Sequence, residues 1–516
     1  MPSKYRIYPV PKFGGGLNTA IHPTQISDDE CQEATNIDFN IGGIPKKRYG
    51  YAQLGDTIHA TNPGTCIDTY TLDTGTEVLL AGVSTQIYKY DSADGSWDSI
   101  SATLTVTTRV SSATYQNRWY FTNGTDNYQY YDNSSVTQLA TAPKGLYLAI
   151  HEERAFVAGV SSVPSRLYYS QVGDASSFSG TGAGFIDVAK SDGTVIRGLQ
   201  VSEGVLTVGK YTHGMYRVDF DSTAAPIVTP TPYSPGPASH FAMARVNNSM
   251  IYLAYNEVAQ VSRIPDFPDE LRGNRISTKI QPTIEALTST SDTASIFHKS
   301  KWYLTCRSSG TQNDTVYVFH ADTAAWSKYT NWRVRAFTIY GNTLTWVASD
   351  SGKIYQQGTT YTDPSSTAIS AVWRSKEFDF SWGNPMLRAY DKFANFMEIE
   401  AKLDPDAQLA ISIYANMQDL IRSDSIPFVD TVSISDLSVY SWGESSWGDS
   451  SWGGAEGGVS TDAQYVRDRV WIPGGRGKTF SIKISNTQLS KSFELLSLSW
   501  AHKLASLQHY DTNKII

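Results

Sequence analysis

The sequence predicts an all-β protein with two folded regions, a β-propeller followed by a β-sandwich. Composition is the first observation: of 516 residues only 18% are charged and 12% are aromatic, with 39 glycines and 31 tyrosines, as expected for pleated surfaces and turns. A loose repeat of short strands between residues 65 and 363 is the second. The third is a change in strand spacing after Asp363-Pro364. With 40% hydrophobic residues, the chain can bury large cores in two or three domains.

The repeat consists of units in which an apolar strand meets a polar turn and a second strand returns with aromatic residues. The units are 78–100, 118–139, 154–178, 204–221, 249–267, 301–329 and 344–358. In the first and sixth, an apolar residue and a tyrosine precede Trp97 and Trp326 by the same offset. Repeats of roughly 40 to 50 residues built from short strands are typical of β-propellers. We expect about seven blades over residues 55–365, with six or eight also compatible; stacked sandwiches with coincidental spacing are the alternative.

Strands with period-two alternation predict a β-sandwich over residues 366–516. They are 369–380, 393–403, 407–416, 467–474, 478–486 and 493–504. Between them, the loop 441–454, "SWGESSWGDSSWGG", places Trp442, Trp447 and Trp452 five residues apart. Each indole can bury about 150 Å² or more, so leaving all of them in water is costly. We expect this loop to be covered, either by its own sandwich or by a neighbouring subunit.

Residues 1–54 are predicted to form an N-terminal arm with a short helix and a hairpin. Ser27 followed by Glu30 has the form of a capping box, which predicts a helix over residues 28–35. Residues 36–39 alternate polar and apolar, Gly42-Gly43 supplies a turn, and residues 44–51 can return as the partner strand.

Three consecutive cations, Lys46, Lys47 and Arg48, end the hairpin. One interpretation is a solvated edge that blocks unwanted strand pairing. The other is a contact with a neighbouring protein or with the next subunit. Both interpretations place the three side chains at the surface.

The charge and the cysteines exclude several classes of protein. A net charge of -8 lacks the basic excess of a protein that grips nucleic acid. Cys31, Cys66 and Cys306 are far apart, so they predict neither a disulfide framework nor a metal site, and they indicate a reducing cytoplasm. We expect no signal peptide, and no stretch approaches the ~20 apolar residues of a membrane span.

No residue pattern predicts catalysis. The nine histidines are scattered, without metal-ligand spacing or a neighbouring nucleophile motif. "SADGSW" at 92–97 resembles the Asp-box turn of sialidase-like propellers, but it is one residue short, and Asp boxes are structural. Paired carboxylates suited to glycoside hydrolysis cannot be singled out. We therefore expect no enzymatic activity, no catalytic residue, no cofactor and no metal.

Two stretches resemble a known family. Residues 15–19, "GGLNT", the acid- and amide-rich segment after them, and "NIDFNIGGIPKKRYGY" at 36–51 resemble the N-terminal segment of propeller-bearing tail proteins of tailed bacteriophages. The resemblance is to tail-nozzle and head-to-tail stopper proteins of short-tailed phages in particular. "VWRSKEFDF" at 372–380 is similar to the same proteins. The tryptophan-rich loop departs from the pattern.

The resemblance implies a structural virion protein of the phage tail, assembled in the cytoplasm of the host bacterium. It implies a ring of identical subunits, a hexamer, next to an adaptor or portal-side connector and near tail fibres or spikes. Such a ring encloses the channel that retains the genome and releases it on ejection. An acidic lining would let DNA slide without sequence-specific binding.

Two other functional classes remain open. A carbohydrate-binding propeller adhesin that contacts the host surface would use exposed Trp and Tyr to stack on sugars. An intracellular kelch-like scaffold would fit the shape of the repeat, although the double glycine of kelch blades is missing.

Overall fold

The computed structural model describes residues 5–10, 12–202, 204–220, 226–232, 234–247, 249–264, 267–381, 388–417, 419–427 and 464–504. The chain divides into two compact units: the first comprises residues 1–50, 322–328 and 359–516, and the second comprises residues 51–321 and 329–358. The second unit lies within a few residues of the predicted propeller. Residues 1–50 belong with the C-terminal strands, so they are not an arm of their own. The predicted loop 441–454, with Trp442, Trp447 and Trp452, lies outside the described residues.

The N-terminal part of the first unit is built from short strands. They are β1 (Arg6–Val10), β2 (Gly16–Leu17), β3 (Glu30–Thr35), β4 (Ile37–Phe39) and β5 (Pro45–Lys47). β4 and β5 form the predicted hairpin, with Ile37 opposite Lys47.

The predicted helix over residues 28–35 is wrong, because residues 30–35 form β3. The capping-box contact itself is made: the Ser27 backbone N–H donates to Glu30 Oε2 at 2.9 Å. The chain nevertheless continues as a strand, since β3 pairs in parallel with β2 and antiparallel with residues 371–375, where Cys31 lies opposite Ser375. Burial of Cys31 and Ala34 stabilises that pairing.

The second unit is a succession of antiparallel meanders that matches the predicted repeat. It begins with β6 (Tyr51–Gln53). Five four-stranded sheets follow: β7 (Gly64–Thr71), β8 (Glu77–Val83), β9 (Gln86–Tyr90), β10 (Trp97–Ser99); β11 (Ser111–Tyr115), β12 (Arg118–Thr122), β13 (Tyr128–Tyr131), β14 (Val136–Leu139); β15 (Tyr147–His151), β16 (Arg154–Ala158), β17 (Arg166–Tyr169), β18 (Gly184–Asp187); β19 (Ile196–Ser202), β20 (Val205–Lys210), β21 (Gly214–Phe220), β22 (Pro226–Pro230); β23 (Met243–Val246), β24 (Ser249–Leu253), β25 (Val258–Ile264), β26 (Phe267–Arg275).

The remaining strands of this part of the chain are β27 (Ser289–His298), β28 (Lys301–Arg307), β29 (Thr315–His320), β30 (Ala325–Thr330), β31 (Val334–Tyr340), β32 (Thr343–Ala348) and β33 (Ile354–Gln357). Residues 325–328 of β30 belong to the first unit. The helical segments among the described residues are 3-10 turns at His240–Ala242 and Thr278–Ile280, and α1 (Gln281–Glu285).

The sheets close into a β-propeller. The inner strands contact one another in the order β7, β11, β15, β19, β23, β27 and β31, and β31 contacts β7 again. β6 pairs with β33, with Ala52 opposite Gln356, so the first strand of the unit completes its last blade. In the described residues, six blades are separate four-stranded sheets, and the remaining blade, the sixth in chain order, begins with β27–β29.

Aromatic and polar contacts join neighbouring blades. Trp119 and Phe121 of the second blade are fully buried and belong to the same hydrophobic cluster as Leu80 of the first. The partly buried carboxylate of Asp68 accepts hydrogen bonds from Ser112 Oγ at 2.7 Å and Trp119 Nε1 at 2.8 Å. Burial raises the pKa of Asp68.

The C-terminal strands complete a sandwich in the first unit. They are β34 (Thr362–Asp363), β35 (Thr367–Ala368), β36 (Ala371–Ser375), β37 (Lys392–Leu403), β38 (Gln408–Ala415), β39 (Asp419–Pro427), β40 (Gln464–Gly477), β41 (Phe480–Asn486) and β42 (Phe493–Leu504). One sheet has the order β4-β5-β42-β37-β40, with β1 on β42, and the other contains β3-β36-β41-β38-β39, with β2 on β3. The sheets meet where the ring of Phe380 lies 5.7 Å from Phe480 of one sheet and 5.8 Å from Trp500 of the other.

Candidate interaction surface

Arg48 is buried inside the first unit, where it forms an ion pair. Its guanidinium donates to both carboxylate oxygens of Asp363, at 2.8 and 2.7 Å, and its Nε donates to Asn36 Oδ1 at 2.8 Å. The Arg48 side chain is 0% exposed and the Asp363 side chain 3% exposed. This bidentate geometry is the strongest kind of side-chain ion pair.

Lys47 is buried as well, and its Nζ donates to Asn486 Oδ1 and to the carbonyl of Gln488, both at 2.8 Å. Burial is the main cause that lowers the pKa of Lys47, to about 8. Lys46 is partly exposed, with its Nζ 5.4 Å from the ring centroid of Tyr49. The prediction that Lys46, Lys47 and Arg48 form a surface cluster is therefore corrected for Lys47 and Arg48, because their charges are satisfied within the fold.

The two stretches that carry the family resemblance fold against each other. β3 of the first stretch pairs with β36, which carries the second, and Ala34 lies opposite Trp373. The rings of Phe13 and Trp373 meet edge to face at 5.4 Å. Gln32 Nε2 donates to the carbonyl of Ser375 at 2.9 Å. Segments more than 300 residues apart in sequence thus form one structure.

A solvent-facing cluster of aromatic and basic side chains covers one face of the first unit. We call it the Trp471 surface and define it by side chains of β37, β40 and β42, which are Phe393, Phe396, Arg469, Trp471, Arg476 and Lys503. Trp471 is 57% exposed, which is unusual for a tryptophan within a strand. Its position follows from the alternation of β40, in which Val470 and Ile472 point into the core.

Cations and rings are interleaved across the Trp471 surface. The rings of Phe396 and Trp471 lie 5.2 Å apart, and the Arg469 guanidinium lies 4.4 Å from the centroid of Phe396. Lys503 Nζ lies 5.6 Å from the ring of Phe393. Arg469 also donates to Glu398 at 3.0 Å, and this contact lowers the pKa of Glu398.

A pocket of about 520 Å³ opens on this surface, within the range of small-ligand sites. Its lining includes Phe393, Asn395, Arg422, Trp471 and Lys503. Asn395 Oδ1 is buried and has no hydrogen-bond partner among the described residues. The pocket thus offers ring faces, cationic donors and an amide.

The Arg109 side chain crosses the central shaft of the propeller near the start of the inner strands. Arg109 Nη1 donates to the carbonyl of Thr293 at 2.8 Å, and Nη2 donates to that of Arg335 at 2.9 Å. The guanidinium lies 3.7 Å from the ring centroid of Phe241. One side chain therefore links the second blade to the fifth, sixth and seventh across the shaft.

The other chemistry-bearing groups among the described residues are potential metal ligands and thiols. The part of the chain that the structure describes contains no group of three His, Cys, Asp or Glu side chains that could hold a metal ion. Cys31, Cys66 and Cys306 are buried and form no disulfide among the described residues, and burial raises the pKa of Cys66 to about 12. Among the described residues, no helix has the length and apolar character needed to cross a membrane.

Sequence reasoning missed both the Trp471 surface and the contacts of Arg109 across the shaft. The pattern Arg467, Arg469, Trp471 in β40 could have revealed the first, since residues of equal parity in a strand share a face, and charged neighbours mark that face as exposed. Arg109 has no comparable local signal, because its partners lie in other blades.

No family model and no curated protein matches the chain. Among solved structures, BamB from Moraxella catarrhalis is similar, with 13% identity and a TM-score of 0.37; the match covers 60% of this chain and 94% of that one. The computationally designed Ika8 protein has 10% identity and a TM-score of 0.34 over 59% and 99% of the two chains. The extracellular domain of the hybrid two component system BT4673 from B. thetaiotaomicron has 10% identity and a TM-score of 0.42 over 60% and 40%. The assignment of the fold therefore rests on the strand topology described above.

Proposed function

We propose that the protein is a structural subunit of a bacteriophage tail, part of a nozzle or stopper ring that encloses the DNA channel, retains the packaged genome and lets it pass on ejection. The observation that carries the proposal is the joining of residues 13–51 and 372–380, the stretches of the family resemblance, in one sandwich. Two distant stretches that build one structure form a stronger resemblance than either stretch alone.

The Trp471 surface supports a role in assembly. Residues that dominate protein-protein interfaces are enriched in Trp, Tyr and Arg, and they cluster in patches where rings can be fully desolvated. Trp471, Phe396 and Arg469 form such a cluster, with the indole 57% exposed in the single chain. A neighbouring subunit that covers this face would bury apolar area worth about 25 cal/mol per Å².

The contacts of Arg109 across the shaft bear on where DNA would pass. A duplex whose major groove alone is about 12 Å wide cannot enter a shaft crossed by Arg109 and Phe241. In our proposal the channel therefore lies between subunits of the ring, a hexamer, and the propeller is a rigid wall. The ring adjoins an adaptor or portal-side connector and the fibres or spikes, and the subunit performs no covalent chemistry.

Negative-stain microscopy of the purified chain, with Trp471→Ser as the variant, tests the proposal. We expect rings with a central channel for the wild type and a strong loss of rings for Trp471→Ser. The melting temperature of the variant should change little, since exposed substitutions usually cost less than about 0.5 kcal/mol. Tyr255→Ser, which alters a 60% exposed aromatic residue of the second unit, is the matched control and should retain rings. A wild-type chain that stays monomeric at every concentration contradicts the proposal.

Trp442, Trp447 and Trp452 lie outside the described residues, so their predicted contact with a neighbouring subunit remains a prediction. Replacing all three with Ser should reduce ring yield while the monomer keeps its melting temperature. A destabilised monomer with normal ring yield would instead assign the loop to its own sandwich.

The pocket beside Trp471 favours a second candidate, a carbohydrate-binding propeller adhesin or tail protein that contacts the host surface. Exposed rings with nearby Asn and cationic donors suit stacking on sugars and hydrogen bonding to them. A glycan array separates the candidates: saturable binding that Trp471→Ser abolishes, from a chain that forms no rings, favours the adhesin.

A further inference from the structure

The mouth of the propeller shaft contains more positive charge than its own carboxylate can balance. Asp292 pairs with Arg307 at 2.5 Å and with Arg335 at 2.8 Å. Arg109, only 9% exposed, donates to backbone carbonyls and lies beside the same cluster. One carboxylate therefore pairs with two guanidinium groups, and a third, that of Arg109, lies nearby without a carboxylate partner of its own among the described residues.

His240 lies beside Arg109 and is neutral, so it neither adds to the positive charge of this cluster nor compensates it. The Leu199 N–H donates to His240 Nδ1 at 3.2 Å, so the proton of the neutral imidazole is on Nε2, which lies 3.1 Å from Ser111 Oγ. Burial, followed by the charge of Arg109, lowers the pKa of His240 to about 3. At neutral pH the ring is an uncharged bridge between blades.

A cavity of about 110 Å³ opens beside this cluster. Its lining includes Arg109, Tyr147, Arg197, Ser239, His240 and Ser291. The Nε atoms of Arg109 and Arg197 are buried without a hydrogen-bond partner among the described residues. Two guanidinium groups, a phenol and two serine hydroxyls thus line one small space.

We propose that this cavity binds a small oxyanion, a phosphate or carboxylate group. Guanidinium groups recognise both through charge-assisted hydrogen bonds, and a bound anion would compensate the buried positive charge. The volume of the cavity limits the size of the ligand. Each water molecule occupies about 30 Å³ in the liquid, whereas sites for larger organic ligands span about 300–1,000 Å³. The cavity fits an inorganic anion or a single acidic group, and is too small for a nucleotide or a sugar chain. The inference does not depend on the proposed role in assembly.

The test is titration calorimetry of the full chain with inorganic phosphate, at constant ionic strength set by chloride. We expect saturable binding of phosphate to the wild type and at least tenfold weaker binding to Arg197→Gln. Arg197 is only partly buried, so this substitution should leave the fold intact. Arg245→Gln removes an exposed cation from β23 and is the matched control, with unchanged binding. Circular dichroism of both variants verifies their folding.

Saturable binding matters because phosphate also stabilises many proteins by exclusion from their surface, without binding a site. A parallel titration with acetate distinguishes the two sources of the oxyanion: binding of phosphate alone indicates a phosphoryl group, and binding of acetate indicates an acidic side chain or chain terminus. No saturable binding of either anion to the wild type, or equal binding to Arg197→Gln, overturns the proposal.

Discussion

Replacing Arg48 with methionine should destabilise the first unit severely, because it removes the guanidinium that neutralises a buried carboxylate. Arg48 makes at least four hydrogen bonds, two of them to Asp363, one to Asn36 and one to the carbonyl of Tyr49 at 3.0 Å. Methionine fills much of the same volume but donates none of these bonds.

The expected magnitude follows from burial. With side chains 0% and 3% exposed, the pair belongs to the class in which removal of one partner costs about 3–5 kcal/mol. For a unit of roughly 200 residues, each kcal/mol lowers Tm by about 2–4 °C, so the loss is about 6–20 °C. The double variant Arg48→Met/Asp363→Leu should recover much of this loss, since a packed apolar pair avoids the buried charge.

Differential scanning calorimetry measures these shifts, and Arg333→Met is the matched control. Arg333 pairs with Asp350 at a similar distance, 2.7 Å, but its side chain is 61% exposed. That surface pair should contribute about 0–1 kcal/mol. The reasoning is refuted if both single variants shift Tm equally. A stable Arg48→Met chain that fails to assemble would make Arg48 a contact residue, as its sequence neighbourhood first suggested.

Three further predictions concern single side chains. Between pH 8 and 10.5, the free energy of unfolding of the wild type should rise relative to that of Lys47→Met. The reason is that the pKa of Lys47 is about 8 in the folded protein, so in this range the unfolded lysine binds more protons than the folded one. A pH series of urea titrations measures the difference. As pH falls from 6.5 toward 3, His240→Gln should lose less stability than the wild type, because only the unfolded histidine takes up a proton in that window. Thermal melts across this pH range measure the difference, and equal losses of Tm in the two proteins would contradict the prediction. Gly50→Ala should lower Tm, since an added Cβ would lie 1.7 Å from the carbonyl oxygen of Thr362; an unchanged Tm would mean that the two backbones separate freely.

Local patterns were sufficient to predict much of the fold. The repeat of short strands predicted the propeller because each blade is a meander of neighbouring segments, and β4 and β5 followed from the turn at Gly42-Gly43. Period-two alternation likewise located most strands of the sandwich.

Contacts between distant segments could not be predicted in this way. Arg48 and Asp363 are 315 residues apart, so nothing near the three cations indicated that two would be buried. Glu30 makes its capping contact and still enters a strand, because pairing with residues 371–375 outweighs the local preference for a helix. Arg109 and His240 come together only when the blades close.

The pairing of β1 with β42 has a consequence for synthesis of the chain. Arg6 lies opposite His502, so β1 leaves the ribosome nearly five hundred residues before its partner. At about 5–20 residues per second, that interval is about 25–100 seconds. During this time the propeller can fold in sequence order, while the edges of the early sandwich strands have no partner. The first unit is therefore completed only after residues 493–504 emerge, so a prematurely terminated chain would present a propeller without a finished sandwich.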